Sequence, residues 1–265
     1  MFRRRPAASS NRNADKIMSD LFGFTRTVVK PRYALITPDG FVPSALPGWR
    51  NVVAVVNISP VMAGPRFTQL QITLDTHSRG TGATGALEHF YYVLAGQCRA
   101  RLGGKTSALT AGSFAFVPPK TTFDFSDATQ GTTLLVFQKQ FQPLAGTRKP
   151  GVIVGHERNV KGQPFLGNED ARLQVLLPEQ PAFDMAVNIF TYQPGATLPF
   201  VETHIMEHGL LMLRGQGVYR LDAEHYPVTA GDVIWMASYC PQWFVAMGKT
   251  AASYIYYKDV NRAPL

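Results

Sequence analysis

Short apolar runs separated by glycine and proline fill this chain, and apolar residues almost nowhere recur at helical spacing. Phe90 to Leu94 is apolar and aromatic and stops at Gly96-Gln97. Arg99 to Leu102 returns, Gly103-Gly104 turns again, and Ser113 to Val117 ends at Pro118-Pro119. Runs of this length bounded by turn formers predict β-strands. The pattern recurs through Gly209 to Leu213, Gly217 to Leu221, Asp232 to Met236 and Ala252 to Tyr257. Thr37-Pro38-Asp39-Gly40 marks a turn near the start. Only Arg12 to Phe22, with Ile17, Met18, Leu21 and Phe22, has the spacing of a helix.

The pattern also repeats itself. Tyr92-Val93-Leu94-Ala95-Gly96-Gln97 stands 119 residues before Leu211-Met212-Leu213-Arg214-Gly215-Gln216. Arg101-Leu102 matches Arg220-Leu221, Thr110-Ala111-Gly112 matches Thr229-Ala230-Gly231, and Lys139 falls on Lys258, all at the same offset without a gap. Agreement at so many landmarks predicts an internal duplication. Strands at this spacing predict antiparallel sandwiches or small barrels. The expected organisation is a basic tail and short helix over 1–28, a first unit over 29–142, a linker over 143–178 and a second unit over 179–265.

Composition narrows the function classes. Hydrophobic residues make up 45% and charged residues 17% of 265, with 23 Gly and 19 Pro, which suits a turn-rich, mostly β protein. The net charge of +8 could point to nucleic acid. Arg3, Arg4, Arg5 and Arg12 supply half of it in a stretch without an acid, and the body has no basic stripe, so nucleic acid is not expected as a partner. Cys98 and Cys240 lack metal or redox spacing and suit buried thiols in a reducing compartment. No apolar run reaches the roughly 18 residues that cross a membrane. The basic N-terminus lacks the apolar stretch of a secretory signal, so a cytoplasmic location is expected.

The chemistry concentrates in Val201-Glu202-Thr203-His204-Ile205-Met206-Glu207-His208. On a strand, Glu202, His204 and His208 share parity and face together. Gln242, eleven residues after Gly231, is expected to reach the same interior from another strand. Two imidazoles, a carboxylate and an amide carbonyl form a nitrogen and oxygen set. It favours a divalent ion of the manganese or iron kind, with zinc possible, and leaves positions open for substrate. His204 to His208 also spells the H-x-x-E-H string of inverted zinc proteases, with Glu207 as base. That motif needs a helix, whereas Pro194, Gly195 and Pro199 precede it here, so Glu207 is set aside. The positions 119 residues earlier are Ala83, Gly85, His89 and Phe123. With one ligand of four, the first unit is expected to bind no metal and to serve packing, dimer contacts or cover.

Gly195, Glu202, His204, His208 and Gly215 resemble the first cupin motif, Gly-x5-His-x-His-x3,4-Glu-x6-Gly, with the Glu and one His exchanged and the first gap one longer. Gln242 stands where the second motif has its His, without that motif's proline and glycine. The exchanged set closely resembles the (S)-ureidoglycine aminohydrolase family. So do the tail Tyr254-Ile255-Tyr256-Tyr257-Lys258-Asp259-x-Asn261-Arg262, Ala34 to Gly40 and Gly215 to Tyr219. The resemblance implies an all-β bicupin, two tandem jelly-roll cupin barrels, that is manganese-dependent and homo-oligomeric. It implies release of ammonia from ureidoglycine to give ureidoglycolate in allantoin and purine degradation. By position it implies Glu202, His204, His208 and Gln242 as ligands for Mn2+, and Tyr219, Tyr254 and Lys258 against the substrate. Glu202, Lys258 and Tyr219 are the implied catalytic set, while Tyr256 and Tyr257 are left as packing. Two rival readings stand: another metal cupin acting on a small acid, and a bicupin that only binds a small ligand.

Overall fold

A computed structural model describes residues 23–262. The helical pattern at Arg12 to Phe22 and most of the basic tail lie outside the described residues. Within them every regular element is a β-strand or a short 3-10 turn, and no helix is long and apolar enough to cross a membrane. The strands assemble into sheets of ten, eight and three.

Period-two alternation sorts the side chains into three cores. In the first unit, Tyr91 and Val93 point into a barrel with Leu74, Leu102, Phe123, Phe125, Leu134 and Val136. In the second, Leu210 and Met212 point into a barrel with Tyr219, Phe244, Tyr254 and Tyr256. The alternate positions of the same strands, Phe90, Tyr92, Leu135 and Phe137 against Leu211, Ile255 and Tyr257, pack into a third core between the barrels. Each such large side chain removed from water contributes ~2 kcal/mol. Gly209 makes the close approach possible, since a Cβ there would lie 2.3 Å from Phe67 Cζ.

The duplication is visible in hydrogen-bonded register. Gln97 pairs with Thr110 and Leu102 with Lys105, as Gln216 pairs with Thr229 and Leu221 with Glu224. His89 pairs with Val117 as His208 pairs with Met236. The last strand departs from this rule. Phe90 pairs with Phe137, but its counterpart Gly209 pairs with Tyr257, one residue further on than the repeat requires. One extra residue between Val245 and Ser253, relative to Ser126 and Thr133, absorbs the shift. Structurally, Lys258 therefore corresponds to Gln138, and the sequence match of Lys139 with Lys258 is corrected to Lys139 with Asp259.

The expected boundaries do not follow the sheets. Tyr33–Ile36 leaves the first unit and pairs with Val233–Met236 of the second. Ile153–His156, inside the expected linker, pairs with Ser113–Val117 of the first. Gln163–Phe165 and Asn168–Val175 of that segment belong to the eight-stranded sheet. The first unit thus covers a strand of the second, and the segment between the units covers a strand of the first, which satisfies backbone groups an open edge would leave unpaired.

Candidate metal centre and active site

The segment carrying Glu202 and His204 is not a strand, contrary to the parity argument. Pro194 and Pro199 lack the N–H that a ladder needs, and the chain crosses the barrel mouth as an irregular extension of the three-stranded sheet. It is zipped to Gln242–Met247 through Gly195 N to Ala246 O at 2.9 Å, Leu198 N to Phe244 O at 3.0 Å and Glu202 N to Gln242 O at 2.8 Å. Gln242 N returns a bond to Glu202 O at 2.9 Å, so the two residues form an antiparallel bridge. A further bond from Tyr239 N to His204 O, at 2.6 Å, fixes the imidazole-bearing turn. Regular structure resumes only at His208, the first residue of His208–Arg214.

The imidazoles of His204 and His208 stack with centroids 4.8 Å apart. Gln242 Nε2 lies 3.1 Å from His204 Nε2, and Tyr219 OH donates to Gln242 Oε1 at 3.3 Å. On its other face His208 stacks on Tyr256, with centroids 5.3 Å apart and ring planes 10° from parallel. Asn188 Nδ2 donates to Tyr256 OH at 3.1 Å, and the hydroxyls of Tyr192 and Tyr254 share a hydrogen bond of 3.0 Å. His204, His208, Gln242, Tyr219 and Tyr254 are brought together in this way. Tyr256, set aside as packing, belongs with them, as do Asn188 and Tyr192. Tyr256 shares the parity of Tyr254 and Lys258, and that signal was present in the sequence. A cavity of about 430 Å³ opens elsewhere, lined among others by Tyr92, Glu157, Arg158 and Arg214, and contains none of these residues.

The electrostatics suit ligation. Burial, the neighbouring His204 and the Lys258 ammonium hold His208 far below the usual histidine range, and burial with Lys258 lowers His204. Both rings are therefore neutral near neutral pH, the form that binds metals. Burial raises the Glu202 carboxyl, and Lys258 opposes that shift. Burial keeps the phenols of Tyr219 and Tyr254 protonated, so they act as donors. His204 Nδ1 and His208 Nε2 are buried without a hydrogen-bond partner. Such orphaned acceptors in a nitrogen and oxygen donor set fit a divalent ion. Among the described residues no three His, Cys, Asp or Glu side chains already stand at enclosing distance, and one of the four donors here is an amide.

Glu207 has no part in this group. It is 2% exposed and its carboxylate is taken by Arg66. In the first unit, Phe123 packs against His89 at 5.8 Å where the second unit carries Gln242, and His89 Nδ1 bonds Tyr91 OH at 2.9 Å.

Comparison with known proteins places the chain. Residues 188–257 match the cupin domain. An (S)-ureidoglycine aminohydrolase of Arabidopsis thaliana is 39% identical over 94% of this chain and 82% of its own length. An (S)-ureidoglycine aminohydrolase of Escherichia coli is 34% identical over 94% of this chain and 97% of its own. The chain belongs to the (S)-ureidoglycine aminohydrolase family. As a member it is a hydrolase acting on a small molecule, with the all-β cupin fold. A crystal structure of an Escherichia coli protein superposes with a TM-score of 0.81 at 32% identity, covering 91% of this chain and 96% of that one. Oxalate decarboxylase of Bacillus subtilis, at 10% identity and a TM-score of 0.68 over 89% of this chain, shares the fold alone.

Proposed function

We propose that the chain hydrolyses (S)-ureidoglycine to (S)-ureidoglycolate and ammonia, as a Mn2+ enzyme of allantoin breakdown that assembles as a homo-oligomer. The observation that carries this reading is the meeting of His204, His208 and Gln242 in one aromatic barrel of a chain from this family. In the reaction, water supplies a hydroxyl to the carbon bearing the amine, the C–N bond breaks, and the amine leaves as ammonia. Such a geminal centre loses an amine readily, so the protein mainly holds one enantiomer and manages protons.

Glu202, His204, His208 and Gln242 would hold Mn2+, which supplies a Lewis acid with a net positive charge beside an anionic substrate. Lys258 pairs with the substrate carboxylate. Tyr219 and Tyr254, held protonated by burial, donate to the ureido and carboxylate oxygens. Glu202 takes a proton from the incoming water and returns it to the departing amine.

The test generates (S)-ureidoglycine in situ by enzymatic hydrolysis of allantoate and follows ammonia and ureidoglycolate with and without Mn2+. Enantiopure ureidoglycolate formed well above the uncatalysed rate is the expected result. A rate equal to spontaneous decay overturns the proposal.

A further inference from the structure

Among the charged side chains that cross between the units, Arg66 and Asp184 form a related pair, and the chemistry above uses neither. Arg66 immediately precedes Phe67–Ala83, and Asp184 immediately precedes Met185–Tyr192. Each reaches the end of a strand pair in the other unit. The Arg66 backbone N–H donates to both oxygens of Glu207, at 3.2 and 3.1 Å, and its Nε donates to Oε1 at 3.2 Å. Arg66 Nη2 donates to Asp259 Oδ2 at 2.7 Å and to Ser238 Oγ at 3.4 Å. The Glu207 backbone N–H closes the figure by donating to Asp259 Oδ1 at 2.7 Å.

Asp184 makes the matching clamp with its charges inverted. Its Oδ2 accepts from Lys139 Nζ and, at 2.8 Å, from the Gln142 backbone N–H. Lys139 is the cross-strand partner of Glu88. Through the duplication, Glu88 corresponds to Glu207 and Lys139 to Asp259. One clamp is a cation on two acids, and the other is an acid on a cation with a second acid beside it.

The clamps differ in what lies on the far face of the strands they grip. Glu207 and Asp259 adjoin His208 and Lys258; alternation turns Asp259 away from Lys258, and Glu207, just ahead of the strand that begins at His208, turns its carboxylate to Arg66. His208 and Lys258 are direct cross-strand partners. Ser238, the third group Arg66 touches, adjoins Tyr239, whose N–H holds the His204 carbonyl.

We infer that Arg66 is a positioning residue of the active site: the first unit uses it to hold His208, Lys258 and the His204 turn in register from behind the barrel. The inference rests on the proposed site residues. Groups behind metal ligands set ligand orientation, and their loss weakens metal binding. Removing Arg66 also leaves two neighbouring carboxylates, one of them buried, without a cation.

The test compares Arg66→Gln with Asp184→Asn, which cuts the mirror clamp behind the barrel that lacks the ligand set. Melting temperature, Mn2+ affinity from the free-ion EPR signal, kcat and KM are measured on each. Both variants should melt earlier. Only Arg66→Gln should bind Mn2+ about tenfold more weakly and lose kcat, with partial recovery in Arg66→Lys. Wild-type Mn2+ affinity and kinetics in folded Arg66→Gln, or an equal loss of affinity in Asp184→Asn, overturn the inference. If Arg66→Gln does not fold, Asp259→Asn, which removes one arm of the clamp, decides by the same measurements: weaker Mn2+ binding supports it and wild-type values sink it. A wild type that binds Mn2+ yet releases no ammonia sinks the proposed reaction, and the affinity comparison still decides the clamp.

Discussion

His208 and Tyr256 lie face to face inside the second barrel, 5.3 Å apart and 10° from parallel, although 48 residues of chain separate them. Two antiparallel pairings create the contact: His208–Arg214 against Ala252–Asp259, and the latter against Met185–Tyr192, which brings Asn188 to the Tyr256 hydroxyl. A buried imidazole that must present one nitrogen to a ligand needs its plane fixed, and the phenol ring fixes it.

Tyr256→Phe keeps the stacked ring and loses the bond from Asn188, so it should cost about 1 kcal/mol of stability and leave metal affinity near wild type. Tyr256→Leu removes the ring plane and should weaken metal binding clearly more than it slows folding. Chemical denaturation and metal titration on both variants separate the two effects.

Glu202→Ala and His208→Ala should both lose metal and ammonia release, whereas His89→Ala should keep both. His89 occupies the place of His208 in the other barrel but faces Phe123 and Tyr91. Its loss should therefore register as a cavity cost of about 1–3 kcal/mol in denaturation and leave turnover unchanged. Equal loss of turnover in His89→Ala would refute the division of labour between the barrels.

Burial lowers His89 from 6.5 to about 4. The unfolded chain therefore takes up a proton here as pH falls below 6.5 and the folded chain does not. Stability from this group is complete above pH 6.5 and is lost as pH falls toward 4, by about 3 kcal/mol at the bottom of that window. His89→Asn should flatten the acid limb of stability measured by urea titration between pH 7 and pH 4.

Glu88 shows the opposite slope. Burial and the Asp184 charge raise its carboxyl from 4.5 to about 9, with Lys139 opposing. The folded chain holds a proton that the unfolded chain releases, so stability falls as pH rises from 4.5 through 9. Glu88→Gln keeps the shape without the titration. It should gain stability relative to wild type at pH 8 and show a flatter alkaline limb in the same assay.

Much of this was legible in the sequence because it is local. Ser113–Val117 lies between Gly112 and Pro118 and Gln216–Leu221 follows Gly215, so turn formers and apolar pattern together delimit them. His208 and Gln242 stand out in the sequence because ligand-type side chains cluster over 201–208 and because Gln242 keeps a fixed interval from Gly231. The parity of Glu202 and His204 misled, because prolines dissolve the strand on which parity is defined. The shift that pairs Lys139 with Asp259 is hidden in the sequence, since one residue added between Val245 and Ser253 leaves the flanking apolar pattern intact. Tyr256 looked like packing because burial and stacking on a ligand use the same side chain. The departures of Tyr33–Ile36 and Ile153–His156 to the opposite units were illegible for a different reason: a strand encodes its own alternation, not the identity of its neighbour.

That exchange of strands bears on how a barrel can go silent and still persist. The first barrel has a place for only one of the four ligands, so its interior is free to fill with phenylalanine. Its outline is under a different constraint, because Tyr33–Ile36 closes the sheet that carries His208. Mutation can change the interior of the first barrel one residue at a time, yet deleting it would open the second barrel along its side. On the proposed reading, the half without the ligand set is kept as a wall of the half that carries it.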